Sequence, residues 1–385
     1  MSPTPSITRR PARPAAAAAT RRSPALGGSG QPPWAAFLLR WYRQHRRDLP
    51  WRGSKDPYRV WVSEVMLQQT QVATATPFYQ AFVRRFPNLD ALARAPIDEV
   101  LHAWAGLGYY RRARFLHAAA RAVVREHGGR VPEDPDRFGA LPGVGRYTMG
   151  AVLSICHDRP LPVLDGNVAR VLSRLEALPL AVKRPADAKT LWARATALVP
   201  GRAPGDWNQA LMELGATVCT PRAPRCDACP VGRWCRARLL GRVDEFPPTP
   251  DRRATRHVRR AVALIVRDRR VLMTRRRGAL LDGLWEPPGI EIAGGRAARP
   301  ALAAALAALG VRARLVATGA TVRHAITHRR IVAEVWSGTL AAAAPRASRR
   351  MRWVSVTRPE VAVTALGRRL ARLSRASSGS GRSRS

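Results

Sequence analysis

The sequence predicts a multidomain chain in which an all-α domain precedes a smaller α+β domain. Residues 32–236 show helical apolar periodicity interrupted by short Pro or Gly breaks, and no segment among them alternates as a strand does. Further along the chain two β-branched runs, 258–266 and 271–274, flank a short Arg-Asp-Arg-Arg turn, as in a hairpin. A helical pattern at 300–310 and a strand pattern at 331–336 complete the second domain, and a chain of 385 residues suffices for both cores.

Three low-complexity segments flank and separate these domains. The first is basic and rich in Pro, Ala and Ser but lacks the apolar region of a secretory signal, which predicts a disordered arm. The second contains Phe-Pro-Pro-Thr-Pro and has no periodicity, as a linker would. The third is a tail of Ser, Gly and Arg that cannot bury apolar surface. The predicted units are the arm at 1–31, the all-α domain at 32–236, the linker at 237–256, the α+β domain at 257–372 and the disordered tail at 373–385.

The net charge indicates a polyanionic partner. A formal charge of +40 and a pI near 11.8 favour nucleic acid. Genome composition contributes to the excess of Arg, since Lys occurs only at positions 55, 183 and 189. No apolar run reaches the roughly 18 to 20 residues that a membrane-spanning helix needs. We therefore expect a cytoplasmic protein that binds nucleic acid and no membrane.

The most informative stretch is a Gly-rich turn followed by a carboxylate. In the segment LPGVG at 141–145, Gly143 and Gly145 permit positive φ and leave backbone N–H groups bare where the next helix begins. A phosphate can approach those groups closely, so the turn predicts a grip on a nucleic-acid backbone. Asp165 follows twenty residues after Gly145 and is a candidate for chemistry beside that grip.

Four of the five cysteines form one cluster, which implies a shared ligand. Disulfides are disfavoured in a cytosolic protein, so the spacing leaves two choices, a zinc ion or an iron-sulfur cluster, each held by thiolates. The fifth, Cys156, lies in an apolar helical run, and we expect it to fill the core. The clustered residues are Cys219, Cys226, Cys229 and Cys235.

Five motifs occur along the chain in one order. They are WVSEVMLQQTQV at 61–72, GLGYY at 106–110, LPGVG at 141–145, DGNV at 165–168 and the cysteine quartet at 219–235. Together they resemble the endonuclease III superfamily of helix-hairpin-helix DNA glycosylases and, within it, the adenine DNA glycosylase family. The resemblance implies an all-α helix-hairpin-helix glycosylase domain whose cysteine loop holds a 4Fe-4S cluster. It also implies a monomeric, nucleoid-associated enzyme that acts on double-stranded DNA and hydrolyses the N-glycosidic bond of adenine mispaired with 8-oxoguanine or guanine.

Two carboxylates are the candidate catalytic groups. Glu64 lies among apolar residues of a helical stretch, where desolvation would raise its pKa toward that of a general acid, although a solvated helix face is the alternative. The resemblance implies that Glu64 protonates N7 of adenine. It also implies that Asp165 stays ionised and stabilises the oxocarbenium-like sugar, electrostatically or through a transient covalent bond. Asp165 can serve as a helix N-cap at the same time.

Tyr147 bears on the choice of reaction. In the bifunctional members of the superfamily, a Lys two residues after the last Gly of the hairpin forms a Schiff base with the sugar. Tyr147 occupies that position here and cannot do so, while Lys183 and Lys189 lie outside the motif. We therefore expect a monofunctional glycosylase in which, by resemblance, Tyr147 contacts the catalytic Asp.

Further residues match positions that contact DNA or the extruded base in the family. Gln69 and Tyr109 match residues that enter the base stack, as extrusion of a base requires. Trp51, Arg52 and Leu67 match the walls of the adenine pocket. The remaining predicted contacts are Gly143, Gly145 and Asn167, with Arg222 and Arg225 of the cysteine loop available to phosphate.

The α+β domain is similar to the Nudix fold but lacks its metal ligands. Residues 278–289, GALLDGLWEPPG, carry this resemblance. Without carboxylates Mg²⁺ has no hard oxygen ligands, so we expect recognition of a modified purine without nucleotide hydrolysis. With Gly289 and Gly310 as anchors, the signature slots for Glu, Arg-Glu and Glu-Glu hold Gly295, Ala303, Ala304, Ala307 and Ala308.

By resemblance, this second domain recognises 8-oxoguanine opposite the adenine. The family's recognition loop has an aromatic residue, then Ser or Thr, then His, and here it is Ile326, Thr327 and His328, preceded by His324. Ile326 offers no ring to stack, whereas Thr327 and His328 can donate hydrogen bonds to the lesion. The alternative for His328 is an ordinary turn residue.

Two other functions stay open on the sequence. One is a pyrimidine-damage glycosylase/lyase of the endonuclease III kind, which Tyr147 and the extra domain disfavour. The other is a noncatalytic DNA-binding scaffold, which the presence of Glu64 and Asp165 disfavours, because a degenerate copy would lose its acids first.

Overall fold

A computed structural model of the chain describes residues 31–248, 254–278, 280–294, 296–341, 343 and 346–376. The predicted arm up to residue 30 and the tail from residue 377 lie outside the described residues, as do Gly295 and the linker residues 249–253. In the part of the chain that is described, no helix is long and apolar enough to cross a membrane.

The first domain is built of helices throughout residues 31–248, as the periodicity predicts. Several of them begin at a polar side chain that accepts hydrogen bonds from the first free N–H groups, as Asp56, Asn88 and Asp134 do. The helices are α1 (Ala35–His45), α2 (Pro57–Leu67), α3 (Val72–Arg85), α4 (Leu89–Arg94), α5 (Ile97–Ala103), α6 (Arg111–Glu126), α7 (Pro135–Gly139), α8 (Arg146–His157), α9 (Gly166–Glu176), α10 (Pro185–Leu198), α11 (Pro204–Thr217) and α12 (Arg236–Leu239), with 3-10 turns at Cys226–Ala228, Gly232–Trp234 and Val243–Glu245.

Two apolar cores form inside this domain. One surrounds α2 and α6 and contains the fully buried Trp61 and Trp104, and the other surrounds α9 and α11 and contains Trp207. Helix α8 joins them, because its Val152 packs into the first core and the neighbouring Ala151 into the second. A side chain on α2 and one at the start of α9 can therefore meet across the cleft between the two cores.

The second domain is a mixed sheet covered by one helix on each face. The sheet order is β3-β2-β1-β6-β5, with β4 also paired to β1 and β7 to β2; β1 and β6 are parallel and all other pairs antiparallel. Its elements are β1 (Arg256–Arg267), β2 (Arg270–Arg275), β3 (Trp285–Glu286), β4 (Gly289–Ile292), α13 (Ala298–Ala307), β5 (Ala313–Ile326), β6 (Arg329–Leu340), β7 (Met351–Ser355) and α14 (Ala365–Ala376).

The predicted hairpin and the predicted linker have different outcomes. Strands β1 and β2 pair as expected around a two-residue turn at Asp268 and Arg269, both with positive φ. The prediction of a linker is wrong over residues 237–248, because α12 and the 3-10 turn at Val243–Glu245 pack on the first domain through the buried Ala237 and Phe246. Too few apolar residues recur there for a periodicity to be visible. Helix α14 also continues past the predicted domain end at 372.

The two domains contact each other through apolar and charged groups. Leu284 is buried within the first core of the helical domain, although it belongs to the second. Arg275 donates to the Asp98 carboxylate at 2.5 Å, and Arg114 donates to the carbonyl oxygen of Asp282 at 2.9 Å. These contacts hold one end of the sheet against helices α5 and α6.

Candidate active site

The cleft between the two cores of the first domain holds a cavity of about 740 Å³. It brings together side chains that the sequence separates by more than a hundred residues. Its lining includes all three candidate catalytic residues and the three predicted pocket walls. Among the lining residues are Trp51, Arg52, Glu64, Leu67, Gln69, Tyr147, Asp165, Asn167, Arg170, Met212 and Glu213.

Glu64 is a buried carboxyl at the edge of this cavity. Helix α2 is central in its core, so every residue from 60 to 66 is buried, and Glu64 is only 6% exposed. The alternative of a solvated helix face does not apply. Its Oε2 accepts a hydrogen bond of 2.6 Å from the Tyr147 hydroxyl. Desolvation raises the pKa of Glu64 to about 7, and the negative charge of Asp165 adds to the rise, while the Tyr147 hydrogen bond and Arg52 oppose it.

Asp165 is the N-cap of helix α9 and faces the same cavity. Its Oδ1 accepts from the N–H groups of Asn167 at 2.9 Å and Val168 at 2.8 Å, and its Oδ2 accepts from the Asn167 amide at 2.9 Å. Burial raises the pKa of Asp165, whereas these hydrogen bonds lower it, and the positive end of the helix dipole also favours the anion. The net effect is a pKa of Asp165 above its usual value, with burial as the largest cause.

Tyr147 lies in the first turn of α8, directly after the hairpin. Its hydroxyl donates to Glu64 and lies 3.3 Å from the sulfur of Met212. The hydrogen bond of Tyr147 is to Glu64, because α2 and α8 pack side by side. Asp165 accepts from the N–H groups of its own helix and lines the same cavity as Tyr147, and the contact expected between these two residues stays a prediction.

The pocket walls are held by a charge network that the sequence did not reveal. Glu213 of α11 is 1% exposed and binds both Arg47 at 2.6 Å and Arg52 at 2.7 Å. The two guanidinium groups lower the pKa of Glu213 despite its burial. They share one anion, so Arg52 is fixed in orientation beside the apolar walls Trp51 and Leu67. The sequence signal that could have indicated a role for Glu213 is an acidic residue among the apolar residues of helix α11.

Asn167 is coupled to the cysteine loop through a buried arginine. The Nη2 of Arg170 donates to the Asn167 side-chain oxygen at 2.8 Å, and its Nε donates to the carbonyl of Cys219 at 2.7 Å. Asn167 in turn donates to Asp165. Sequence reasoning missed Arg170, although a charged residue on the buried face of an amphipathic helix was a usable signal.

The hairpin presents both glycines to solvent, but for different reasons. Gly143 has φ of +77°, and a Cβ there would lie 2.4 Å from the Cβ of Phe115, so only glycine fits. Gly145 is the N-cap of α8 with φ of −93°, a conformation open to any residue, and a Cβ would meet nothing within 4 Å. Of the two glycines, Gly143 therefore uses the positive φ that glycine permits and Gly145 does not. Its missing side chain leaves the helix N-terminus open to an approaching anion.

The two predicted wedge residues lie at the mouth of the cleft. Gln69, just after α2, has φ of +58°, and Tyr109, just before α6, has φ of +47° and is 48% exposed. Both line a second cavity of about 730 Å³ between the two domains. Left-handed backbone in residues other than Gly is uncommon and marks a constrained position.

The predicted recognition loop borders this second cavity. Strands β5 and β6 pair as far as Ile326 and Arg329, so Thr327 and His328 form a two-residue turn, with Thr327 at φ of +52°. Both side chains are exposed. Ile326, Thr327 and His324 are among the cavity's lining residues, opposite Gln69 and Tyr109 of the first domain, whereas His328 is beyond its edge.

The four clustered cysteines line one small cavity. The guanidinium of Arg174 lies 3.5 Å from the sulfur of Cys219 and donates to the Thr220 carbonyl at 2.7 Å, and Arg238 donates to the carbonyl of Cys226 at 2.9 Å. No group of three or more His, Cys, Asp or Glu side chains among the described residues is arranged to hold a single metal ion. Four thiols around one cavity are the donor set that zinc ions and iron-sulfur clusters both take. Arg222 and Arg225 of this loop are exposed.

Helix α13 carries no ligands for a metal. Its buried face is formed by Leu302 and Leu306. The described residues in the Nudix signature slots are exposed alanines, and Gly295 lies outside the described residues. These alanines are Ala303, Ala304, Ala307 and Ala308.

Comparisons with known proteins assign both domains. Residues 62–194 match the family model of the HhH-GPD superfamily of base excision DNA repair proteins, and residues 261–371 match the NUDIX domain model. With the fold described above, they define a helical base excision repair protein followed by a Nudix-like domain. A thermostable thymine-DNA glycosylase of known structure has a TM-score of 0.49 and 30% identity, covering 54% of this chain and 95% of that one.

Two curated relatives narrow the assignment. An adenine DNA glycosylase of Mycolicibacterium smegmatis is 42% identical over 256 residues, covering 64% of this chain and 84% of the relative. An adenine DNA glycosylase of Rattus norvegicus is 49% identical over 226 residues, covering 56% of this chain and 44% of the relative. The chain belongs to the adenine DNA glycosylase family. It spans less than half the length of the mammalian relatives that it matches.

Proposed function

We propose that this protein is a monofunctional glycosylase that removes adenine mispaired with 8-oxoguanine or guanine in double-stranded DNA. The observation that carries the proposal is the pairing of two carboxyls in unlike surroundings in one cavity: the buried Glu64, with a pKa of about 7, and the half-buried Asp165, which caps its helix. Two carboxyls whose surroundings differ are the arrangement that glycosidic bond cleavage uses.

Glu64 acts as the general acid. At neutral pH a carboxyl with a pKa near 7 is protonated in a substantial fraction of molecules, so it can deliver a proton to N7 of the bound adenine. The bond between C1′ and N9 then breaks, and its electron pair leaves with the protonated base. Tyr147 donates to Oε2, which leaves the other carboxyl oxygen of Glu64 to carry the transferred proton.

Asp165 stabilises the sugar cation that remains. Its hydrogen bonds from Asn167 and Val168 keep it in place and favour its ionised form. A negative charge near C1′ lowers the energy of the oxocarbenium-like transition state, electrostatically or by transient bonding. Water then adds its oxygen to C1′, and its proton passes to the Glu64 carboxylate. The products are free adenine and an abasic sugar.

The residue types around the cavity support the monofunctional assignment. Tyr147 stands where a lyase would have Lys, and none of the described residues lining the 740 Å³ cavity is a Lys. Lys55 contacts the carbonyl of Ile155 at 2.6 Å instead. We therefore expect borohydride to trap no strong covalent adduct between the protein and DNA.

The remaining machinery is proposed to hold the DNA. Gly143 and Gly145 offer N–H groups to a backbone phosphate, and Gln69 and Tyr109 enter the stack vacated by the base. Trp51, Arg52, Leu67 and Asn167 would enclose the flipped adenine. Thr327, which lines the inter-domain cavity, and the adjacent exposed His328 would contact the oxidised guanine.

We further propose that Cys219, Cys226, Cys229 and Cys235 hold a 4Fe-4S cluster. When bound, such a cluster supplies a rigid frame for the loop rather than a catalytic group. Arg222 and Arg225 on that loop are exposed and can contact phosphate. Absorbance near 410 nm with iron in the folded protein is the expected result, and stoichiometric zinc without iron would contradict it.

A base-release assay tests the function. Purified protein is incubated with duplexes containing adenine opposite 8-oxoguanine, adenine opposite guanine, or thymine glycol, and the strands are cleaved with alkali afterward. Wild type and the surface variant Glu99→Gln should release adenine, and Glu64→Gln should release none. Release of thymine glycol would favour an endonuclease III-like enzyme, and binding without any release would favour a noncatalytic scaffold.

A further inference from the structure

One buried guanidinium joins the two segments that carry the wedge residues. Arg112 of α6 is 9% exposed. Its Nη1 donates to the carbonyl oxygens of Val65 at 2.9 Å, Met66 at 2.8 Å and Gln68 at 2.5 Å, which lie at the C-terminal end of α2. Carbonyls in the last turn of a helix lack intrahelical partners and carry the negative end of the dipole, so a cation satisfies them well.

The same side chain also binds the loop that precedes α6. Its Nη2 donates to the carbonyls of Leu107 at 3.4 Å and Gly108 at 3.2 Å, and its Nε donates to the carbonyl of Tyr109 at 3.4 Å. The guanidinium lies 5.4 Å from the centre of the Tyr109 ring and 5.5 Å from that of Trp104. One planar group therefore connects the residue before Gln69 with Tyr109 itself.

Both connected segments need such a restraint. Gln69 and Tyr109 have left-handed backbone, which is unfavourable for a residue with a Cβ and persists only where the surroundings enforce it. The partners of Arg112 are backbone carbonyls, one hydroxyl of Thr70 at 3.2 Å and aromatic faces. Burial lowers the pKa of Arg112 to about 10, so it remains charged at neutral pH. The Arg112 guanidinium has several N–H donors in a fixed planar arrangement. This arrangement, rather than the positive charge alone, allows it to bind both segments.

We propose that Arg112 is a positioning residue that holds Gln69 and Tyr109 in their wedge conformations before DNA arrives. This inference rests on the proposed function for the role of the two wedge residues, but the restraint itself is independent of catalysis. A preformed wedge avoids ordering two segments at the moment of base extrusion, and so lowers the barrier of that step. Arg112 touches neither the base nor the sugar.

Hydrogen exchange of the free protein tests the restraint without any substrate. In Arg112→Lys the amides of residues 66–71 and 106–110 should exchange faster together, by about tenfold, because a Lys cannot reach both segments. Arg121→Lys, exposed on the same helix, and Arg260→Lys, equally buried in the second domain, should leave both segments unchanged. Thr70→Val removes a single partner and should give the same pattern at smaller size if Arg112→Lys does not fold. Unchanged exchange at both segments in the folded variants would overturn the proposal.

Single-turnover adenine release provides the second readout. For adenine opposite 8-oxoguanine, Arg112→Lys should lower the rate of adenine release by about tenfold. For adenine opposite an abasic site, where extrusion of the base is easy, the rate should fall by less than about twofold. The pH profile should keep its shape, since Glu64 is untouched. Equal losses on both substrates would contradict a role in extrusion. If wild type released no adenine, the proposed function would fail, while the exchange data would still decide whether Arg112 orders the wedge.

Discussion

The two domains differ in which acidic side chains they carry and in whether those positions are buried or exposed. The first domain keeps Glu64 buried, with its pKa raised to about 7, beside the helix-capping Asp165. The second domain has exposed alanines on α13 where a Nudix hydrolase carries its acids. An exposed carboxylate on α13 would cost the fold little, whereas buried Glu64 costs stability. Glu64 is present although its burial costs stability, and the acids that would cost little on α13 are absent, which supports the proposal of chemistry in the first domain and recognition in the second.

After the complete loss expected for Glu64→Gln, removing the charge of Asp165 should produce the largest effect on activity. Asn is as good an N-cap as Asp, so Asp165→Asn should keep helix α9 while losing the anion beside C1′. We expect the single-turnover rate of adenine release to fall by about 10²- to 10³-fold, with thermal stability little changed. Asp134→Asn, the same substitution at the N-cap of α7, is the matched control and should retain full activity. A loss under about threefold would contradict the role of Asp165.

The stability cost of Glu64 is the next largest effect. Its pKa is about 7 in the folded protein, against an ordinary value of 4.5, so between these values the folded state holds a proton that the unfolded state releases. Stability therefore falls as pH rises from 4.5 to 7, and the full cost is present above 7. At pH 8 the free energy of unfolding of Glu64→Gln should exceed that of wild type by about 3 kcal/mol.

Urea denaturation of the helical domain at two pH values measures this difference. The gain should fall to about 1 kcal/mol at pH 5, where Glu64 is protonated in the folded state and still largely ionised in the unfolded state. Glu99→Gln should show no such pH-dependent gain. A destabilised Glu64→Gln at pH 8 would mean that the carboxyl is structural, and the contrast between the two domains would lose its basis.

The recognition loop should give a moderate and selective effect. If Thr327 donates a hydrogen bond to the lesion, Thr327→Ala should reduce the preference for adenine opposite 8-oxoguanine over adenine opposite guanine by about fivefold to tenfold. The rate opposite guanine should barely change. Thr321→Ala, at an exposed position on β5 away from the turn, is the control, and an equal loss on both mispairs would exclude a role in lesion recognition.

Restoring acids to α13 should have the smallest effect. Because the described slots are exposed, Ala304→Glu with Ala308→Glu should fold normally and change adenine release by less than about twofold. Hydrolysis of 8-oxo-dGTP in the presence of Mg²⁺ should stay absent in wild type. Nucleotide hydrolysis by the wild-type protein would break the division between a chemical and a recognition domain.

Short sequence motifs were sufficient to predict the elements and the candidate residues whose residue types are distinctive. The helical domain and the hairpin at β1 and β2 follow from short-range residue patterns. Glu64, Tyr147 and Asp165, which line one cavity, were singled out from motifs of the family resemblance. The cysteine loop belongs to the same class, because four thiols within seventeen residues are typical of a site that shares one metal or cluster.

Long-range packing could not be predicted in the same way. Glu213 binds two arginines that precede it by more than 160 residues, and Arg112 reaches carbonyls more than 40 residues away, so neither partner is visible in a local window. The hydrogen bond of Tyr147 to Glu64 was not expected, because it depends on how α2 packs against α8. The packing of residues 237–248 was missed for the same reason: tertiary context decides it.

The pH dependence of single-turnover adenine release tests the central claim most directly. The reactive form of Glu64 is the protonated one, so the rate on duplex with adenine opposite 8-oxoguanine should be lost as pH rises through about 7, falling about tenfold per pH unit beyond it. Glu64→Gln should show a rate near zero at every pH. A wild-type rate that is flat through pH 7, or that rises across it, would contradict catalysis by a protonated Glu64.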